Sequence, residues 1–113
     1  MPRRKQVVRK VVRYEVELWD WTRGGWLSGR TDFTIRYWVE NINNIRSLAN
    51  KAVRQWCKKY RFKVECSRDG LCKVKGQLPY LELERAGEVK QEIRRIIRTI
   101  IRTAGYKAKE VQY

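Results

Sequence analysis

Apolar and polar residues alternate twice in the first part of the chain. Val12, Tyr14, Val16 and Leu18 interleave with Arg13, Glu15, Glu17 and Trp19, and Phe33, Ile35, Tyr37 and Val39 interleave with Thr34, Arg36, Trp38 and Glu40. A period of two sends one set of side chains to each face of a strand, so each run predicts a half-buried β-strand. Arg23-Gly24-Gly25 and Ser28-Gly29 interrupt the chain between them, with Trp26 and Leu27 inside the break. An antiparallel hairpin with a long glycine-rich loop is expected.

The period then changes. Ile42, Ile45, Ala49, Ala52, Trp56 and Tyr60 recur at three- and four-residue steps, which predicts a helix starting at Asn41 or Asn44 and ending near Tyr60, with asparagine as its N-cap. Lys51, Arg54, Lys58 and Lys59 fall on its outer face. A second hairpin follows. Phe62, Val64 and Cys66 alternate with Arg61, Lys63 and Glu65, Arg68-Asp69-Gly70 signals a turn, and Cys72-Lys73-Val74-Lys75 starts the return strand. The apolar parity shifts between Val74 and Leu81, with Gly76 and Pro79 in between, so a bulge or kink is expected there. A last helix is expected over Glu88–Ala104, closed by Gly105, with Val89, Ile93, Ile96, Ile97, Ile100, Ile101 and Ala104 as its apolar stripe. The tail Tyr106–Tyr113 has the length of one short strand.

The order strand, strand, helix, strand, strand, helix predicts an α+β fold: a four-stranded antiparallel sheet with two helices on one face, ββαββα. The alternative takes the second strand onward as βαββαβ, with the tail as a strand, giving a ferredoxin-like sheet that carries an extra N-terminal strand. Residues 1–11, with Arg3, Arg4, Lys5, Arg9 and Lys10, read as a flexible basic arm, and 12–113 as a single domain.

Composition narrows the function. The chain has 113 residues, 27 Lys or Arg against 12 Asp or Glu, a net charge of +15 and no histidine. Its 42% apolar content is too high for a disordered chain. No run approaches the roughly 18 apolar residues of a membrane span, and the opening Met1-Pro2-Arg3-Arg4-Lys5 precedes no apolar signal core, so a cytoplasmic protein is expected. The absence of histidine excludes histidine triads and most zinc enzymes. A charge this large repels itself unless an anionic partner relieves it, and nucleic acid is the usual one. Cys57, Cys66 and Cys72 match no metal knuckle and are read first as reduced, buried side chains, a Cys66–Cys72 bridge being the alternative.

The position of the tryptophans sharpens the choice. Trp19 and Trp21 fall on the charged side of the first strand and Trp38 on the charged side of the second. On the same side the second hairpin would present Arg61, Lys63, Lys73 and Lys75. Indoles beside cations suit a single strand, which offers unstacked bases and phosphates together; a duplex hides its base faces and calls for a polar recognition helix instead. The expected binding set is Arg13, Trp19, Trp21, Trp26, Arg30, Arg36, Trp38, Arg61, Lys63, Lys73 and Lys75, with no metal or other cofactor. Tryptophans also mark subunit contacts, so an interface remains open as a second use of that face. Adjacent isoleucines point about 100° apart on a helix, so Ile93, Ile97, Ile100 and Ile101 are expected to serve a homo-oligomer interface as well as the core. Arg94, Arg98 and Arg102 form a single-sign ridge that needs an acid or anion opposite. Asp20 and Asp32 flank the first loop and Glu82 and Glu84 share a predicted strand face, which leaves a small metal-dependent nuclease as a third reading behind a structured-RNA or ribonucleoprotein component.

The stretch Tyr14–Trp21, the glycine-rich loop with Trp26, the strand Phe33–Glu40 and the closing isoleucine-rich helix together resemble the archaeal ThermoDBP-like single-stranded-DNA-binding proteins. The resemblance implies a small antiparallel sheet with helices, bases held on aromatic and apolar side chains, and helix-driven assembly. The chain departs from that pattern in having only Val89–Ala104 where a long C-terminal zipper would be expected.

Overall fold

The computed structural model describes residues 10–23, 30–79 and 84–112. Among them the elements run β1 (Val11–Arg23), β2 (Arg30–Val39), α1 (Ile45–Lys59), β3 (Lys63–Cys66), β4 (Cys72–Pro79), α2 (Glu84–Thr103) and β5 (Lys107–Glu110). The strands form one sheet in the order β3-β4-β2-β1-β5, antiparallel throughout except for the parallel pair β1 and β5. The class is α+β, as the patterning implies, but the sheet has five strands and is mixed rather than four-stranded and antiparallel. The tail supplies the fifth strand, and β1 lies between β2 and β5. Val11 already pairs with Lys107, so the strand begins inside the stretch read as an arm; residues 1–9 lie outside the described residues.

Burial follows the alternation. Val12, Tyr14 and Val16 of β1, Phe33, Ile35, Tyr37 and Val39 of β2, and Cys72, Val74 and Leu78 of β4 are buried on one face. Ile45, Ala49, Val53 and Cys57 of α1 and Ala86, Val89, Ile93, Ile97 and Ile101 of α2 pack onto them in one core. The helices share that face, leaving the opposite face uncovered by any described element. The buried row of α1 is rotated from the predicted one: Trp56 is half-buried and Tyr60 exposed. Asn44 does occupy the N-cap but in the left-handed region, without a side-chain cap bond.

Both helices end in the same way. Tyr106 N–H donates to Ile101 O and Gly105 N–H to Arg102 O, with Gly105 at φ 91°; this is the predicted glycine cap, a Schellman turn. At the end of α1, Phe62 N–H donates to Cys57 O and Arg61 N–H to Lys58 O, so Arg61 holds the equivalent position at φ 60°. A side chain there costs about 1 kcal/mol or more relative to glycine. Arg61 is therefore not a strand residue, and the expected alternation begins only at Lys63.

Three further expectations change. The bulge lies in β1, not β4: Leu18 pairs with Ile35 and Asp20 with Thr34, so Trp19 is the extra residue. The β2–β4 register is unbroken from Tyr37–Cys72 to Arg30–Pro79. Gly76 serves instead to admit two rings, since a Cβ there would sit 2.4 Å from Phe62 and 2.8 Å from Phe33. Cys66 and Cys72 stand directly opposite in the β3–β4 register and are disulfide-bonded, which corrects the preferred reading of three reduced cysteines. Cys57 alone is free; burial pushes its thiol up to about 11, so it stays protonated.

The isoleucine reading is also corrected. Ile93, Ile97 and Ile101 are all fully buried in the core of a single chain, while Ile96 and Ile100 are half-buried and pack against the same core. Ile93, Ile97 and Ile101 are thus taken up by the core of one chain, whereas Ile100 keeps part of its surface. The arginine ridge does meet an acid: Arg94 donates to Glu110 of β5 at 2.7 Å, Arg98 lies 3.8 Å from the same carboxylate, and Arg98 donates to the Tyr14 hydroxyl. This cluster ties β5 to α2 and satisfies a buried phenol.

Candidate nucleic-acid interface

The uncovered face of the sheet is built by the second set of each alternation. Directly opposed residues share a face. Glu17, Arg36, Lys73 and Glu65 therefore form one row across β1, β2, β4 and β3, and Lys75 and Lys63 stand beside Thr34 in the next. Arg13 pairs with Lys109 at the β5 side. The row is locked by ion pairs: Arg36 donates to Glu17 at 2.9 Å and Lys75 to Glu65 at 3.1 Å.

Arg36 is the centre of the arrangement. Its guanidinium carbon lies 3.2 Å from the centroid of the Trp19 ring, which the bulge brings against it, and Trp19 is still 54% exposed. The cation lies over the indole, a contact worth about 0.5–1 kcal/mol at an exposed site. Two residues along β2, Trp38 is half-buried, with the Arg46 guanidinium carbon 5.7 Å from its ring centroid. Arg46 in turn donates to Val39 O at 2.7 Å and covers Gly70, where any Cβ would strike the guanidinium. Gly70 has φ 93° and closes the predicted Arg68-Asp69-Gly70 turn. There the Ser67 hydroxyl, and after it the Leu71 N–H, hold the Asp69 carboxyl below its usual range. A depression of about 190 Å³ runs between Glu15, Arg36, Trp38 and Leu71.

Of the expected binding residues, the structure brings Arg13, Trp19, Arg36, Trp38, Lys63, Lys73 and Lys75 to this face. Arg61 is placed elsewhere, at the end of α1. Trp21 follows the bulge and is in register with Phe33, so its backbone position has the parity of the helix face rather than that of Trp19. Position 30 pairs with Pro79 at the end of β2, and its side chain lies outside the description. Trp26 lies outside the described residues. Asp20 and Asp32 stand two register steps apart in the β1–β2 ladder, paired with Thr34 and Thr22. Glu84 opens α2 rather than a strand, and Glu82 lies outside the described residues. Among the described residues no group of three or more His, Cys, Asp or Glu side chains converges, and no helix is long and apolar enough to cross a membrane.

Sequence reasoning missed a second region. Between Glu40 and Glu65 the chain carries Arg46, Lys51, Arg54, Lys58, Lys59, Arg61 and Lys63 and no acid. Lys51, Arg54 and Lys58 are exposed at three- and four-residue steps, opposite the buried row of α1. The open face, by contrast, mixes both signs. At the end of this stripe Trp56, Tyr60 and Phe62 meet, with Trp56 and Tyr60 centroids 4.9 Å apart and Tyr60 and Phe62 stacked at 5.8 Å. The acid-free run was visible in the sequence; the convergence of Phe62 with the other rings depends on the left-handed turn at Arg61.

No family model, curated protein or solved structure matches the chain.

Proposed function

We propose that this chain binds single-stranded nucleic acid, DNA in the first instance, on the open face of its sheet, whose contacts carry no sequence preference of their own. The observation that carries the reading is the Trp19–Arg36 stack: an indole 54% exposed with a guanidinium carbon 3.2 Å from its centroid. One ring face is held by the cation, and the exposed remainder offers a base the flat contact that stacking needs. Trp38 lies two residues from Arg36 on the same strand and supplies a second ring. Arg13, Lys63, Lys73, Lys107 and Lys109 share that face by register and have no ion-pair partner among the described residues. If these five cations each neutralise a phosphate, log K falls against log salt with a slope of about −3.5.

A second reading, a structured-RNA binder, draws on the acid-free stripe of α1, since a row of cations along one helix can follow a phosphate backbone without any stacking. Competition among single-stranded DNA, single-stranded RNA, hairpin RNA and duplex DNA at fixed salt separates the two. Single strands should win by about tenfold or more, because a duplex gives Trp19 nothing to stack on. Equal or tighter binding of the hairpin would favour the second reading.

A further inference from the structure

A cavity of about 380 Å³ opens at the carboxyl end of α1, on the helix side of the sheet. Trp56, Tyr60 and Phe62 form one wall, and Arg85, Glu88, Val89 and Glu92 of α2 face them. The aromatic wall is not closed over: Tyr60 is 56% exposed, stacked on Phe62 at 20° and tilted against Trp56 at 45°. Lys58, Lys59 and Arg61 are exposed on the chain segment that carries these rings. Arg61 keeps a left-handed backbone at a helix cap where glycine fits without strain. Strained backbone of this kind clusters at ligand-binding sites.

We infer that this cavity is a nucleobase subsite, into which a bound single strand turns one base after crossing the β3 edge. The inference rests on the single-strand reading above and extends it to the other side of the sheet. The aromatic wall decides which part of a nucleotide enters. The flat rings accept a base, and Glu88 offers a carboxylate opposite them, Glu92 being paired with Arg95 at 2.7 Å; the phosphates on either side stay outside on Lys58 and Arg61. The path is short in sequence, since Arg61, Phe62 and Lys63 are consecutive. Phe62 lines the cavity and Lys63 stands on the open face. The Glu88 carboxylate accepts hydrogen bonds from an exocyclic amino group, so the subsite favours cytosine, adenine or guanine over thymine and uracil.

The test is fluorescence anisotropy with oligo-dC and oligo-dT of equal length, at fixed salt, on the full chain and on Tyr60→Ala, Arg61→Gly, Glu88→Ala and Trp19→Ala. The unmutated chain should prefer oligo-dC by about fivefold or more, and Tyr60→Ala should lose about fivefold or more on oligo-dC, the lower end for one base stack. Glu88→Ala should narrow the preference. Arg61→Gly should melt at a higher temperature yet bind more weakly, an outcome that a purely structural arginine would not produce. If Tyr60→Ala and Arg61→Gly bind like the unmutated chain while Trp19→Ala binds poorly, the subsite is refuted and the open-face reading stands. If neither oligonucleotide binds the unmutated chain, both fall together.

Discussion

Replacing Trp19 with alanine tests whether the indole is there for binding or for packing. A tryptophan buries up to about 250 Å², and 54% of this one remains exposed. The hidden part, about 115 Å², sets an upper limit near 3 kcal/mol of stability at about 25 cal/mol per Å². Much of it is covered by Arg36, a long side chain that water rehydrates once the ring is gone, and the lost cation–π contact is worth about 0.5–1 kcal/mol. The expected cost to folding is therefore about 1 kcal/mol. The expected cost to single-strand binding is about 1–3 kcal/mol, or about 5- to 150-fold in Kd. Ile97→Ala supplies the contrast. Ile97 is fully buried on the opposite side of the sheet, so its truncation should cost about 2–5 kcal/mol of stability and leave the affinity of the folded fraction unchanged. Urea titration followed by circular dichroism gives the first quantity, and anisotropy with a labelled oligonucleotide the second. A Trp19→Ala protein that binds as well as the parent, or that loses as much stability as Ile97→Ala, would refute the reasoning.

Tyr37 is fully buried and its hydroxyl has no hydrogen-bond partner among the described residues, so Tyr37→Phe should gain about 1 kcal/mol at pH 7 in urea titrations. Burial raises the pKa values of both Tyr37 and Cys57, so the unfolded chain ionises first. Stability should hold below about pH 9 and fall as pH rises above it, and the Tyr37→Phe variant should fall less steeply above about pH 10. Ile101→Glu buries a charge in the core and should abolish the cooperative melt, not merely separate subunits; a folded, monomeric variant would contradict the placement of Ile101. Reducing the Cys66–Cys72 bond should lower stability by about 2 kcal/mol, the chain-entropy value for so short a loop, while leaving oligonucleotide affinity within about twofold, because the bond lies at the sheet edge away from Trp19.

Much of the fold was legible because one face of each strand is buried. The alternations at 12–18 and 33–39 and the cap at Gly105 need only local chemistry, and the structure keeps them. What escaped the sequence depends on pairing between distant residues. The extra residue at Trp19 is defined by its register against β2, and that single insertion changes the parity of position 21. β5 pairs with β1, which lies about as far away in sequence as the chain allows. Gly76 reads locally as a kink, yet its role is room for Phe33 and Phe62, both from other elements. Ile100 and Ile101 both fit a broad apolar stripe, so only the packed helix shows which one faces the sheet. Arg61 sits where glycine is the usual signal, so local pattern alone makes the end of α1 and the rings gathered there look like strand and core. For the candidate site, the facing of Trp19, Arg36 and Trp38 was readable from alternation alone, whereas the stack of Arg36 on Trp19 required the bulge.

The central claim is that a single strand lies on the open face against Trp19 and Trp38. An NMR titration of the isotope-labelled chain with a short single-stranded oligonucleotide tests it most directly, because each indole N–H gives its own resonance. The account predicts that the Trp19 and Trp38 indole signals move together with the amides of Arg36 and Lys73. Binding that shifts the α1 amides around Lys51 and Arg54 while both indoles stay fixed would contradict it.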